Sequence, residues 1–317
     1  MLKKRFTHTA IFVFIFVFCA FFAVKLHRID NELQQYSRTN RPFVAQNIIC
    51  SDTPNPAWDI PVSSERTAFV NIVTQQPFQW VGKGFQAYAF VSQDGEYVMK
   101  FFQQQRLRDT PFLERPFATL FSSSFQNKAT MKHENRDRIF TSSKLAYEEL
   151  QKETGVLFVH LNKTVNQLKG IKLIDAHGQS HRVRGDDVSF LLQLKADYVI
   201  PTIVQCMKRG QKEQAKARLD QIFDLLLSLA KKGVVDSDQA LVRNNNIGFV
   251  KDRALYIDTG NLVKMEGIDV YEHMKYECTK RLKPLSDWLS VAYPELHVYY
   301  EERTHAILKV LEQDGNP

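Results

Sequence analysis

The stretch Gly233–Gly260, GVVDSDQALVRNNNIGFVKDRALYIDTG, limits what this chain can fold into more than any other. Two carboxylates, Asp236 and Asp238, follow the apolar pair Val234-Val235. Three asparagines, Asn244, Asn245 and Asn246, run into Ile247-Gly248-Phe249. Ala254-Leu255-Tyr256-Ile257 then reads as a strand that ends in Asp258-Thr259-Gly260. A carboxylate, an amide and a second carboxylate along a loop and a short hairpin can hold magnesium against phosphate oxygens. Magnesium prefers hard oxygen ligands and takes few of them from protein. Asp236 and Asp238 also have the opening spacing of a calcium loop. That reading fails, because Leu241 stands where the loop needs glycine and Ile247 where it needs glutamate.

A second informative stretch is Phe78–Phe102. Apolar runs flank Gln93-Asp94-Gly95, and Asp-Gly between such runs is a strong hairpin cue. Ahead of it lies Gly82-Lys83-Gly84-Phe85-Gln86-Ala87, whose small residues let backbone N–H groups close on phosphate oxygens. Lys100 ends Tyr97-Val98-Met99-Lys100. Its apolar neighbours can carry the stem and leave the ammonium free. Taken singly, the glycines are an ordinary turn and Lys100 an ordinary strand lysine.

In order, these segments resemble protein-kinase-like phosphotransferases, over roughly Phe78 to Leu262. Gly82 and Gly84 stand as the glycine-rich loop, with Ala87 for its third glycine. Lys100 stands as the strand lysine. Asp236-Ser237-Asp238 takes the place of His-Arg-Asp, and Asp258-Thr259-Gly260 that of Asp-Phe-Gly. The resemblance implies ATP and Mg2+ as cofactors. It implies that Lys100 holds the α- and β-phosphates and that a helical glutamate orients Lys100. Glu148 and Glu149 both qualify, on a helix read from Lys144 to Lys152 and capped by Thr141-Ser142-Ser143. Glu149 is favoured because it shares a face with Leu145 and Ala146. Asn246, with Asn244 as rival, and Asp258 are the implied metal ligands. Asp238 is the residue implied to position an acceptor hydroxyl, and Asp236 supports its loop. Backbone groups from Leu192 to Ala196, Leu192 and Leu194 among them, are the expected seat of adenine. The chain lacks the His and Arg of His-Arg-Asp, the third glycine and an Ala-Pro-Glu motif. An inactive, nucleotide-binding pseudokinase is therefore the alternative, and the acceptor is undefined.

At the N-terminus, Lys3-Lys4-Arg5 precede an apolar run from Ala10 to Val24, and charge returns at Lys25. No small-x-small cleavage site follows, so the run reads as a single-pass membrane anchor over a cleaved signal peptide. The expected organisation is an anchor over residues 1–26, a proline-broken linker over 27–65, a mainly β small lobe over 66–196 and a mainly helical lobe over 197–317. Strands at Val156–Leu161, Ile171–Ile174 and Val188–Leu194 give way to helices at Thr202–Arg209, Gln214–Lys232 and beyond Tyr271. That order makes the chain α+β and two-lobed. The net charge of +7 is spread along the 317 residues and suits an anionic membrane surface or phosphate-bearing substrates. No nucleic-acid motif accompanies it, so nucleic acid is not an expected partner. Cys50, Cys206 and Cys278 have no partners at metal spacing and read as reduced thiols.

Overall fold

The alternation in Phe78–Phe102 becomes three antiparallel strands: β1 (Phe78–Lys83), β2 (Ala87–Ser92) and β3 (Tyr97–Phe102). Asp94 closes the second turn, accepting from Ser92 Oγ at 2.6 Å and Glu96 N at 3.0 Å. Four further strands complete a seven-stranded sheet: β4 (Val156–His160), β5 (Gly170–Ile174), β6 (Ser180–Arg184) and β7 (Phe190–Leu194). The spatial order is β4-β7-β3-β2-β1-β5-β6. β1 runs parallel to β5, and the other neighbours are antiparallel. Phe90, Phe101, Phe190 and Phe158 form a ring-to-ring chain across its core, with centroids 5.8, 5.7 and 5.9 Å apart.

This computed structural model describes residues 43–50, 53–61, 63–104, 122–236, 241 and 246–314, with side chains from Asn135 in the helix that begins at Ser122. Val44–Pro317 forms one compact unit. The expected anchor, Asp238 and Asn244 lie outside the described residues. Among the described residues, no helix is long and apolar enough to cross a membrane.

The linker expectation is corrected over the described part of 44–61. Ile48 is fully buried, and Cys50 N donates to Asp187 O at 2.8 Å. The Trp58 ring meets Phe140 edge-on at 5.0 Å, with the Arg136 guanidinium 4.6 Å above it. Prolines break periodicity here, but single large side chains still anchor the segment. Helix α1 (Ser64–Val73) follows, capped by Ser63 Oγ, which accepts from Arg66 N at 3.2 Å.

A longer helix, α2 (Ser122–Glu148), replaces the one read from Lys144. Ser122 to Glu148 holds no Gly or Pro, so nothing in the run breaks it. Thr141-Ser142-Ser143 is mid-helix, not a cap. Ser143 Oγ bonds back to Ile139 O at 2.7 Å, and Ser142 Oγ accepts from Leu262 N at 2.8 Å. A short α3 (Gln151–Thr154) leads into β4.

Beyond the sheet, α4 (Val199–Lys208) starts ahead of Pro201, which sits in its first turn, where a missing N–H costs little. Helix α5 (Lys212–Lys231) buries Leu219, Ile222, Phe223, Leu226, Leu229 and Ala230, the face its periodicity marks. Gly233 follows with φ +69°, and a Cβ there would come within 2.6 Å of Met265 O. Its own carbonyl accepts from Met265 N at 2.7 Å. Only glycine makes that turn without strain.

The polar stretch then forms β9 (Val234–Asp236), β10 (Ile247–Val250) and β11 (Arg253–Tyr256); β10 pairs with β11 and with the earlier β8 (Asp197–Tyr198), and β9 pairs with β12 (Leu262–Lys264). Helix α6 (Val270–Tyr276), a π-helical turn at Glu277–Arg281, α7 (Lys283–Ala292) and α8 (Pro294–Asp314) complete the chain. The architecture is α+β. The free cysteines Cys50, Cys206 and Cys278 are all buried, and burial pushes the Cys278 thiol up to about 12, leaving it inert.

Candidate active site

Lys100 sits in the middle of β3, between Ala89 on β2 and Leu191 on β7. Directly paired residues share a face of a sheet. All three line a cleft of ≈ 540 Å³, together with Gly84, Asn246 and Asp258. The Lys100 ammonium donates to Ile257 O at 2.6 Å. Burial pushes its pKa down, and the negative charge of Asp258 opposes that shift.

Asn246 and Asp258 reach the cleft through the β10–β11 hairpin. Ile247 pairs with Tyr256, so the next residues outward, Asn246 and Ile257, face each other. Ile257 N donates to Asn246 O at 2.6 Å, and Asn246 N donates to Leu241 O at 2.9 Å. Asn246 is thereby buried and fixed. Asp258 is exposed at the strand end, its Oδ1 accepting from Gly260 N at 3.3 Å. Gly260 leaves room for the loop tip: a Cβ there would collide with the Gln86 side-chain amide.

The donor set fits magnesium. Asp258 offers a carboxylate and Asn246 an amide oxygen. Among the described residues no cluster of three or more His, Cys, Asp or Glu is built to encage a metal. A few hard oxygens at an open cleft suit a cation that keeps waters and takes phosphate oxygens. A second cavity of ≈ 1080 Å³ shares Ala89, Lys100, Tyr198 and Ile257 with the first. Val81, Val91, Val98 and Leu194 give it apolar walls beside Lys195 and Ala196, a setting for a planar base.

Several expected residues stand elsewhere. Glu149 is exposed, pairs with Lys264 and presents its carbonyl to Lys232 Nζ at 3.1 Å. It is not at Lys100, and neither is Glu148, because α2 turns its Arg138 and Ser143 side toward the cleft. Leu192 is fully buried in the sheet, and strand alternation gives the cleft to Leu191 instead. Leu194 lines the second cavity. Gly82 lies within β1, past a bulge after Trp80, and is not in the cleft wall, whereas Gly84 is. Gly84 N bonds to Ala87 O at 2.9 Å, and Gln103 Nε2 holds Gly84 O at 2.8 Å.

Asp236 faces a different pocket. Tyr256 OH donates to it, as does Arg281 Nη2 at 2.6 Å, and Arg281 Nη1 donates to Glu277 at 2.6 Å. Burial and the charge of Asp236 push the Tyr256 phenol well above its usual range. Burial also pushes the Glu277 carboxyl up, against the pull of Arg281. Sequence reasoning missed Arg138, Ser142 and Arg281. The uninterrupted run through residues 117–154 was the available signal, since it puts residues 138 and 142 on one helical face.

No family model and no curated protein matches the chain. Solved structures are similar to it, two of WbdD among them. One is described as the bifunctional kinase-methyltransferase WbdD, at 15% identity and a TM-score of 0.33, covering 69% of this chain and 43% of that one. The other, monomeric WbdD, stands at 17% identity and 0.33, covering 68% and 44%. The chain spans less than half the length of these structures. Likeness at that level transfers no residue's role.

Proposed function

We propose that this chain is an ATP- and Mg2+-dependent phosphotransferase of the protein-kinase-like type, held at a membrane by a single N-terminal helix. One observation carries the reading: Lys100 on β3 and Asn246 and Asp258 at the open end of the β10–β11 hairpin line one cleft. Lys100 binds the inner phosphates, and its stem is fixed by β2 and β7. Asp258 and Asn246 are the residues that hold the metal. When bound, magnesium neutralises charge on the phosphate oxygens. Asp238, outside the described residues, positions the acceptor hydroxyl. Such sites work mainly by positioning and charge complementarity, so little covalent chemistry is asked of the protein.

One observation favours a nucleotide-binding module without turnover. Among the described residues, α2 offers Arg138 and Ser143 to the cleft and no carboxylate to Lys100. Turnover separates the two readings. Purified protein should hydrolyse or transfer the terminal phosphate of ATP with magnesium. Asp238→Ala should keep nucleotide binding and slow turnover by roughly 10²–10⁴, the usual worth of a positioned acid or base. Magnesium-dependent binding with no turnover in the wild type decides for the module.

A further inference from the structure

Arg138 belongs to α2 and is half-buried in the wall of the cleft. Two neutral amides hold it. Its Nη2 donates to Asn135 Oδ1 at 3.0 Å, one helical turn back, and its Nη1 donates to Asn261 Oδ1. Among the described residues no carboxylate pairs with it. A guanidinium with that much burial ordinarily faces an anion, and its planar fork matches phosphate. Asn261 follows the Asp258-Thr259-Gly260 turn directly, so the guanidinium is tied to the metal-ligand end of the cleft. It is absent from the wall of the apolar cavity that suits the base. Among the described residues, Lys100, Arg138 and Asp258 are the charged side chains of the cleft wall.

We propose that Arg138 is a specificity-determining residue that binds the terminal phosphate and makes the cleft prefer a nucleoside triphosphate to the diphosphate. The inference rests on the phosphotransferase reading. It gives Arg138 the outer phosphate and leaves the inner ones to Lys100. The amides of Asn135 and Asn261 hold the fork in place before ligand arrives, which lowers the ordering cost of binding.

The test is calorimetric titration of full-length protein in detergent with ATP and with ADP, both with magnesium. Wild type should bind ATP the more tightly. Arg138→Gln should weaken ATP by about 10–100-fold, the worth of a charge-assisted hydrogen bond, and leave ADP within about twofold. Arg138→Lys, which keeps the charge and loses the fork, should fall between. Equal weakening of both nucleotides, or of neither, overturns the proposal. If Lys100→Met then abolishes binding of both, the phosphotransferase reading survives that result. Wild type that binds neither nucleotide overturns both. Should Arg138→Gln fail to fold, the ATP-to-ADP preference of Arg138→Lys decides: unchanged, it overturns the proposal; reduced, it supports it.

Discussion

Asp236 is buried, bonded to Tyr256 and to Arg281 at 2.6 Å, and backed by the Arg281–Glu277 pair, also at 2.6 Å. Asp258, from the same polar stretch, stands exposed with a single hydrogen bond, from Gly260 N at 3.3 Å, among the described residues. A carboxylate that is buried and already accepts from a phenol and a guanidinium is closed to a ligand from solvent. One left exposed beside a half-buried ammonium keeps its oxygens for a cation. The two sites are also mechanically linked. Asp236 ends β9 and pairs across to Leu262, which follows the Asp258 turn. Ser142 on α2 fixes the same turn from its other side, bonding to Thr259 O and accepting from Leu262 N at 2.8 Å. The buried network is scaffold for the exposed carboxylate.

Breaking the scaffold should have the largest effect on stability. Asp236→Ala leaves the Arg281 charge short of a partner in a buried site. It should cost about 3–5 kcal/mol, read as a lowered midpoint in urea unfolding. A loss below about 0.5 kcal/mol, the range of an ordinary surface change, would show that the network does not hold the turn.

A small effect sharpens the same contrast at Glu149. Its pair with Lys264 is exposed on both sides. Glu149→Ala should therefore cost at most about 1 kcal/mol and leave nucleotide affinity unchanged. A drop in affinity as deep as that of Lys100→Met would place Glu149 back at Lys100 in the bound state.

Much of this was legible in the sequence. The Asp94-Gly95 turn, the strand that carries Lys100, the apolar face of α5 and its stop at Gly233 all carry local signals, although β3 runs on past Lys100 to Phe102. Asn246 and Asp258 were legible because a short hairpin brings strand ends together. What stayed hidden depends on distant partners. α2 is polar along most of its length, and Ser142 earns its place through Thr259 and Leu262, more than a hundred residues away. The parity of Phe190-Leu191-Leu192-Gln193-Leu194 could not be read, because the strand is buried on both faces and does not alternate. Ile48 and Trp58 are single anchors in a proline-rich stretch, and one buried side chain makes no pattern.

The proposed function requires the Lys100–Asn246–Asp258 cleft to hold a metal–nucleotide complex. Titration of ATP into the protein with and without magnesium, in wild type and Asp258→Ala, tests it most directly. Binding should depend on magnesium in the wild type and be lost in Asp258→Ala, with the melting temperature nearly unchanged. Absence of binding to folded wild type, or binding that needs neither magnesium nor Asp258, would contradict it.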